Sequence, residues 1–334
     1  MKFKIKVFGI GGGGSNTTDF IVEKIPNVET YAINTDAQAL ENSKAHNTIH
    51  IGKVLTKGLG AGAIPEIGES AAAESKEELL EAIDGADVVF VASGMGGGTG
   101  TGAAPYIAGL AKEKGILTIA VVTKPFAFEG KGRMKKAVAG IKKLNDTADV
   151  TVVIPNQKLV EDHLDDYLEE AFERPDKVLR NAIDSFIKML TSKSSISSNI
   201  DLNTLNSTLR NQGLAVLGTG HSSTDEYTLE QNLRQAILLA TESKMLDISL
   251  SGASDFIVLI GGDIETIIAS EEIIVKEELL KITNNENNRV SIAYEHVDGV
   301  SPNYRAFTVI ATGYQESEIG DMLNMTKGEK DAFE

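Results

Sequence analysis

Glycine and threonine dominate one nine-residue segment of the chain, residues 94–102, with the sequence Gly-Met-Gly-Gly-Gly-Thr-Gly-Thr-Gly. Its six glycines allow positive φ and close backbone approach, and its two threonines add hydroxyl donors. The segment follows an apolar stretch, 86–92, typical of a buried strand, and precedes a helix-like stretch from Ala103. Because backbone N–H groups at a helix start bind anions, we predict a phosphate-binding loop here. An ordinary flexible turn needs only one or two glycines.

A second glycine-rich segment, residues 9–16, follows the first apolar stretch, 3–8, and precedes another helical pattern. It fits the G-x-G-x-x-G pattern of dinucleotide sites at Gly9, Gly11 and Gly14. Asp36 then stands where a ribose-binding acid would follow the next strand. A nicotinamide oxidoreductase is therefore one interpretation, but it leaves 94–102 and a third glycine segment, 58–62, without a role.

Charge argues against nucleic acid as a partner. The formal net charge is −16 and is spread along the chain, whereas neutralising a phosphate backbone requires a basic face. We interpret the acidic residues as a solvated surface rather than a recognition patch. An acidic protein that holds a nucleotide triphosphate needs compensation, which a cradle of backbone N–H groups and a bound Mg²⁺ would supply.

Composition narrows the remaining classes. At 334 residues the chain can form two domains, and with no cysteine it has no disulfide, thiolate metal site or cysteine nucleophile. The five histidines lack metal-ligand spacing; His46 and His50 come nearest, in what we interpret as a polar, Asn-rich turn. We predict no protein-held metal. No apolar run approaches the roughly 18 residues of a membrane span, and no signal-peptide pattern is seen, so we expect a cytoplasmic protein without direct membrane insertion.

Apolar stretches and amphipathic stretches alternate over the first ~155 residues, which predicts a doubly wound, mostly parallel α/β sheet. The predicted strands are 3–8, 30–34, 86–92, 117–122 and 149–154. Because the glycine segments at 9–16 and 94–102 follow two of these strands, they fall at carboxyl ends, where open α/β sheets bind ligands.

A long helix is predicted from Asp176, directly after Pro175, with an apolar stripe of about four turns that ends at a Ser-rich stretch, 193–198. A second, smaller α/β domain is predicted beyond it. Its strands are 213–218, 256–261, 290–295 and 306–312. The last twenty residues show no periodicity, which predicts a disordered acidic tail.

Six motifs in order resemble the tubulin-like cell-division GTPases of the FtsZ family, over roughly residues 3–314. They are residues 11–16, 34–37, 58–62, 94–102, 123–130 with Arg133, and 153–156. The resemblance implies a GTP-binding domain at 1–167, a central helix with its preceding connection at 168–193, a C-terminal activation domain at 194–314, and the tail at 315–334. It also implies GTP or GDP as ligand, with Mg²⁺.

Individual site residues follow from the same resemblance. Nucleotide contacts are expected at Gly11, Gly12, Gly13, Gly14, Ser15, Asn16, Asn34, Asp36, Ala61, Gly62, Gly94, Met95, Gly96, Gly97, Gly98, Thr99, Gly100, Thr101 and Asn156. Glu129 and Arg133 match ribose contacts, Asn16 and Asp176 match guanine contacts, and Phe172 matches a ring that stacks on the base. Phe172 as a core aromatic and Asp176 as a helix-start acid are the alternatives.

In this family the nucleotide on one subunit is capped by a loop of the next subunit, which here is residues 199–205. The family pattern is Asn-x-Asp-x-x-Asp. Asn199 and Asp201 match it, but Thr204 replaces the second acid. The resemblance thus implies a homopolymer that grows head to tail for cell division and hydrolyses GTP between subunits. The alternative is a GTP-dependent filament scaffold with little hydrolysis, because Thr204 lacks a carboxylate.

The tail differs from the family's usual C-terminal peptide, which docks on membrane adaptors, since it has no proline and no arginine. Its apolar cluster is Ile319, Met322, Leu323 and Met325. This cluster either contacts a partner or is solvated. We expect action at the division site, with division-machinery proteins as partners.

Overall fold

The computed structural model describes residues 3–25, 28–160, 168–191, 202–242 and 249–315, and within them the side chains of all residues but 160, 168–174, 202 and 264. The chain divides into two compact units, one running to Asp184 and the other starting at Ser185. The four-part division expected from the sequence, with boundaries after residues 167, 193 and 314, stays a prediction.

Six strands of the first unit, among the residues described, form a parallel sheet in the order β3-β2-β1-β4-β5-β6. They are β1 (Ile5–Ile10), β2 (Glu29–Asn34), β3 (Asn47–His50), β4 (Val88–Gly94), β5 (Leu117–Lys124) and β6 (Val150–Pro155). Every residue of β1, β5 and β6 is buried, as expected for strands covered on both faces. The predicted doubly wound α/β sheet is confirmed, and its strand order reverses between β1 and β4.

One prediction about this sheet is wrong. Residues 47–50, interpreted as part of a polar turn, form β3 at the sheet edge beside β2. Only Ile49 of this strand is buried, so the stretch carries too little apolar pattern to be recognised. His50 therefore belongs to a strand, while His46 accepts hydrogen bonds at Nδ1 near the start of β2, with Thr30 N at 3.3 Å.

Helices cover the sheet of the first unit. They are α1 (Gly11–Lys24), α2 (Ala37–Glu41), α3 (Lys53–Thr56), α4 (Pro65–Glu74), α5 (Lys76–Ile83), α6 (Thr99–Glu113), α7 (Lys131–Thr147), α8 (Asn156–Val160) and α9 (Leu168–Thr191). Small residues bring α4 and α6 close: a Cβ on Gly102 would lie 1.8 Å from the Pro65 carbonyl oxygen. This close packing holds the start of α6 in place at the end of β4.

The helix α9 differs from its prediction at its start. Pro175 lies inside the helix, which begins at Leu168 and not at Asp176. A proline has no N–H to donate, and this loss is tolerated best in the first turn of a helix. The position of Pro175 therefore favoured a helix start at Asp176 in the sequence analysis. The predicted apolar stripe is otherwise present, since Leu179, Ala182, Ile183 and Phe186 are buried. The described part of the helix runs to Thr191, and the predicted Ser-rich stop at 193–198 lies outside the described residues.

The second unit contains a four-stranded sheet in the order β7-β10-β8-β9, antiparallel except for the parallel pair β8 and β9. Its elements are α10 (Leu202–Leu209), β7 (Gly213–Ser222), α11 (Leu229–Thr241), β8 (Asp255–Gly262), α12 (Ser270–Thr283), β9 (Arg289–His296) and β10 (Arg305–Thr312). A fully buried ion pair, Arg305 Nη2 to Glu271 Oε1 at 2.9 Å, joins β10 to α12. Within the described residues, no helix is long and apolar enough to cross a membrane.

Candidate functional site

A cavity of about 430 Å³ opens at the carboxyl ends of β1 and β4, where the strand order of the first unit reverses. Its size suits a small-molecule ligand, and its place is the one where open α/β sheets bind ligands. The lining residues are Gly11, Gly12, Gly13, Asn16, Gly94, Gly97, Gly98, Thr99, Gly100, Thr123, Phe126, Glu129, Arg133, Asn156, Pro175 and Asp176. Five of the nine residues of the glycine-rich segment 94–102 therefore line one cavity.

Two helix N-termini, those of α1 and α6, converge on this cavity. Each helix leaves the N–H groups of its first turn without a partner inside the helix. Ile10 precedes α1 and Gly98 precedes α6, and neither helix start, both within the described residues, is capped by a side chain. Because the N–H groups and the helix dipoles favour negative charge, this end of the cavity fits phosphate.

The glycines of the site serve two different purposes. A Cβ on Gly12 or Gly97 would meet no atom within 4 Å, so these residues face the open cavity. By contrast, a Cβ on Gly100 would lie 2.2 Å from Ser93 Oγ, and one on Gly14 would lie 2.5 Å from the Ala92 carbonyl oxygen. Gly100 and Gly14 therefore permit close packing, while Gly12 and Gly97 leave room for a ligand.

Hydrogen bonds hold the loop between β4 and α6 in shape. The Met95 N–H donates to the Thr123 carbonyl oxygen at 3.0 Å, and the Gly96 N–H donates to Thr101 Oγ1 at 2.8 Å. Gly96 has a φ of +104°, which an L side chain rarely adopts. A buried Thr101 thus stabilises the loop conformation that turns the Gly97 backbone toward the cavity.

Side chains with polar groups line the rest of the cavity. Asn16 Nδ2 donates to Asp176 Oδ2 at 2.9 Å, which fixes this amide and this carboxylate side by side. Glu129 Oε2 lies 3.1 Å from Arg133 Nη1, and its Oε1 accepts the Phe126 N–H at 2.8 Å. These pairs offer both donors and acceptors to a ligand.

Asn156, at the end of β6, carries an unsatisfied group. The residue is 8% exposed and lines the cavity, and among the described residues its Oδ1 has no hydrogen-bond partner. An unpaired buried acceptor costs about 1–3 kcal/mol, so this oxygen is available to a donor from a ligand or a water molecule.

Comparisons with known proteins agree with this site. Residues 4–163 match the GTPase domain of the Tubulin/FtsZ family. Over 262 residues, 78% of this chain, the sequence is 45% identical to cell division protein FtsZ 1 of Methanocaldococcus jannaschii. The chain belongs to the Tubulin/FtsZ family.

Further relatives support the same family. The chain is 48% identical over 257 residues, 76% of its length, to the cell division protein FtsZ of Buchnera aphidicola. An empty FtsZ dimer of M. jannaschii has a similar structure, with a TM-score of 0.83 and 38% identity over 94% of this chain and 89% of that one. The aligned parts span 70% of the M. jannaschii relative and 65% of the Buchnera relative.

The predictions of a tubulin-like fold and of a GTPase are therefore confirmed. A GTPase domain of the Tubulin/FtsZ family binds GTP and GDP, and the domain match covers the cavity residues up to Asn156. The same match replaces the interpretation of Gly9, Gly11 and Gly14 as a nicotinamide dinucleotide site.

Thirteen residues expected to contact nucleotide lie at the cavity wall, while others do not. Those outside the wall are Gly14, Ser15, Asn34, Asp36, Ala61, Gly62, Met95, Gly96 and Thr101. Thr123, Phe126 and Pro175 line the cavity although the sequence analysis did not name them as contacts. Thr123 and Phe126 belong to the motif 123–130, which begins at the end of β5, the neighbour of β4 in the sheet, whereas Pro175 directly precedes the expected contact Asp176.

The side chains outside the wall have partners of their own. Ser15 Oγ donates back to the Gly11 carbonyl oxygen at 3.0 Å, as helical serines do. Asp36 caps α2, its Oδ1 accepting the N–H of Gln38 at 3.0 Å. Asn34 Oδ1 accepts the Asp36 N–H at 3.3 Å. These three side chains thus bond to local backbone groups, and the expected nucleotide contacts of Ser15, Asn34 and Asp36 stay predictions.

The positions of three expected site residues, Asn199, Asp201 and Phe172, cannot be compared with the cavity. Asn199 and Asp201 lie outside the described residues, as does the side chain of Phe172. Thr204 lies in the first turn of α10, half-buried, and its carbonyl oxygen accepts from Ser207 Oγ at 2.8 Å. Their roles in hydrolysis and base stacking stay predictions.

Gly97→Val should weaken GTP binding about 10–100-fold, because its side chain would fill the space in front of N–H groups that bind phosphate through charge-assisted hydrogen bonds. A Cβ at Gly97 meets no protein atom, so the variant should fold.

Displacement of a fluorescent GTP analogue measures the change in GTP affinity of the Gly97→Val variant. Gly132→Val, in α7 and also free of contacts, is the matched control. Equal affinity in folded Gly97→Val and Gly132→Val would refute the phosphate site. Gly98 is unsuitable, since its Cβ would lie 2.8 Å from the Ala61 Cβ.

Asp176→Asn should reduce the preference for GTP over ATP by about tenfold or more, because a charged acceptor for the guanine N–H groups is lost. Affinity for ATP should change little, since the phosphate end is intact. Calorimetric titration with both nucleotides measures the ratio. Asp146→Asn, on the exposed side of α7, controls for the lost charge. An unchanged GTP-to-ATP ratio would contradict the assignment of the base to this end.

Proposed function

We propose that this protein binds GTP in the cavity of its first unit, polymerises head to tail with other copies, and hydrolyses GTP where one copy meets the next, in filaments that serve cell division. The observation that carries the proposal is the pair of uncapped helix N-termini at one end of the cavity, with the Asn16 and Asp176 pair also at its wall. Both relatives cited above are named as cell division proteins.

The nucleotide would lie with its phosphates on the N–H groups of the α1 and α6 starts. Its guanine would form hydrogen bonds with Asn16 and Asp176, and its ribose would contact Glu129 and Arg133. The carboxylate of Asp176 accepts N–H donors, as the guanine edge requires, whereas adenine offers a different pattern. Phe172 would stack on the base.

Mg²⁺ enters the proposal through the nucleotide. The phosphate end is lined by N–H donors, which bind anionic oxygens and not cations. Within the described residues, no group of three histidine, aspartate or glutamate side chains could hold a metal ion. Magnesium prefers phosphate oxygens and water, so we assign it no protein ligand and expect it to offset the triphosphate charge.

Exposed apolar residues support the self-association part of the proposal. Val54 in α3 is 80% exposed, and in the stretch between α3 and α4 Leu59 is 85% and Ile64 46% exposed. A Cβ on Gly98 would lie 2.9 Å from the Ile64 backbone nitrogen, so this stretch adjoins the phosphate loop. Three large apolar side chains exposed so close together favour burial against another protein surface, and a second copy is the partner we propose.

The hydrolysis step would use the loop 199–205 of the neighbouring copy. Asp201 and residue 204 stand three positions apart, a spacing that places side chains on one face of a helix. Asp201 would polarise the attacking water as a general base, and Asn199 would help to orient it. Bringing the loop to the nucleotide only on assembly would couple turnover to filament growth.

Asp201→Ala should leave GTP binding by the monomer intact and abolish phosphate release, because the residue acts across the contact. Mixing it with Gly97→Val, at a GTP concentration too low to fill the weakened site of that variant, should restore part of the activity, because Asp201 of Gly97→Val would cap the GTP held by Asp201→Ala. Phosphate release and electron microscopy with GTP or GDP are the measurements. If Asp201→Ala monomers lose GTP binding, the loop belongs to the chain's own site and the shared-site proposal fails.

A second candidate function, a GTP-dependent filament scaffold, differs from the first only in its slower hydrolysis of GTP. Thr204 can orient water through its hydroxyl but cannot take a proton at neutral pH, so the chain would be a GTP-dependent scaffold with persistent filaments. Filament lifetime together with phosphate release separates this candidate from the first.

Thr204→Asp should accelerate phosphate release by about 10²–10⁴-fold, the usual contribution of a positioned acid or base, at unchanged GTP affinity and with shorter-lived filaments. Thr204→Asn, which matches the size without the charge, is the control. Brisk hydrolysis by the natural chain, unchanged in Thr204→Asp, would mean that Asp201 suffices and would rule out the scaffold.

The place of action we propose is the division site, in keeping with the relatives' names. The apolar cluster Ile319, Met322, Leu323 and Met325 lies outside the described residues, and its role as a contact for a tethering partner stays a prediction.

A further inference from the structure

A buried threonine, Thr35, contacts the cavity wall from behind. Thr35 follows β2, is 0% exposed, and does not line the cavity. Its Oγ1 lies 2.6 Å from Oγ1 of Thr99, the first residue of α6, which does line the cavity. This is a short hydrogen bond between two hydroxyls. Among the described residues, Thr99 is the one partner found for the Thr35 hydroxyl.

The backbone of Thr35 is fixed from the other side. Its carbonyl oxygen accepts from Thr56 Oγ1 at 3.1 Å and from the Gly60 N–H at 3.2 Å. Thr56 is itself buried, and its one hydroxyl proton is shared between the Thr35 carbonyl oxygen and the Gly52 carbonyl oxygen, which lies at 3.0 Å. The Thr35 hydroxyl therefore stands at a defined position behind Thr99, and a change there would not be absorbed by a mobile backbone.

A phosphate ligand decides the direction of the hydrogen bond. A threonine hydroxyl has one proton to donate and can accept through its oxygen. Ionised phosphate oxygens only accept hydrogen bonds, so a Thr99 hydroxyl that binds phosphate must donate its one proton to the ligand. It can then keep its contact with Thr35 only as an acceptor. Thr35 can donate its own hydroxyl proton to Thr99, because Thr35 does not line the cavity and so does not donate to the ligand.

We infer that Thr35 is a positioning residue for nucleotide phosphate: it donates to Thr99 Oγ1 and so directs the Thr99 proton into the cavity. The inference rests on the proposed function, because it requires phosphate at this end of the cavity. Without the Thr35 donor, the Thr99 hydroxyl loses both a fixed rotamer and the polarisation that a donated hydrogen bond supplies.

A double-mutant cycle tests the inference. Thr35→Val keeps the shape and removes the hydroxyl, and it should weaken binding of GTP and of GDP about fivefold to tenfold, as the loss of one hydrogen bond predicts. Thr99→Val should weaken binding at least as much. The double variant should bind no more weakly than Thr99→Val, because Thr35 acts only through the Thr99 hydroxyl. Equal affinity in Thr35→Val and the natural chain, or additive losses in the double variant, would overturn the inference.

Controls separate positioning from general damage to the fold. Thr151→Val is the matched control: Thr151 is buried on β6, away from the cavity wall, and its hydroxyl has no partner among the described residues. It should bind nucleotide as the natural chain does. Thr35→Ser should recover most of the affinity, since it restores the donor. Thermal melting without nucleotide checks folding. Should Thr35→Val not fold, Thr35→Ala enters the same cycle and the same two outcomes decide.

The experiment also distinguishes the two levels of the argument. If the natural chain binds neither GTP nor GDP, the proposed function fails. If it binds both and the cycle shows no coupling between residues 35 and 99, the proposed function stands and only the role of Thr35 is overturned.

Discussion

Two helix starts that no side chain caps meet at one point of the first unit, and the design of this unit depends on that meeting. The first-turn N–H groups of α1 and α6 need partners, yet Ile10 and Gly98 offer none through a side chain. An anion can satisfy both sets at once. The two helix starts lie close because their backbones meet: a Cβ on Gly11 of α1 would lie 3.2 Å from the backbone nitrogen of Gly100 in α6. Phosphate binding and close backbone packing are therefore one constraint, which glycine alone meets.

This constraint also shows what the sequence can and cannot predict. The buried strands β1, β4, β5 and β6 were predictable, because continuous apolar runs mark strands covered on both faces. The edge strand β3 was not, because a single buried residue, Ile49, gives no periodicity. The glycine-rich segments predicted where the cavity lies. The sequence did not show, however, that Gly97 faces the ligand space whereas Gly100 packs on Ser93. That distinction depends on which atoms lie opposite each Cα, and these come from segments distant in the chain.

Polar residues of the site were harder to assign for a related reason. Asp36 is expected to contact nucleotide, and in the structure its carboxylate also caps the next helix, a local role that the sequence analysis did not name. Thr35, one position earlier, lies in the motif 34–37 but was not named as a site residue, and its hydroxyl contacts Thr99, 64 positions away in sequence. Neighbours in sequence thus explain the cap at Asp36, and a neighbour distant in sequence explains the contact of Thr35 with Thr99.

The same residue joins the cavity to the exposed stretch between α3 and α4. That stretch is strained, since Lys57 and Ala63 adopt positive φ at a cost of about 1–3 kcal/mol each. It is held by Lys136 Nζ, which donates to the Ala63 carbonyl oxygen at 2.7 Å, and by the Gly60 N–H on Thr35. On the inference above, a ligand bound to Thr99 acts through Thr35 on the stretch that exposes Leu59. Coupling between two binding events is reciprocal, so on the proposed function a second copy seated on Leu59 would strengthen nucleotide binding by the factor with which nucleotide strengthens assembly.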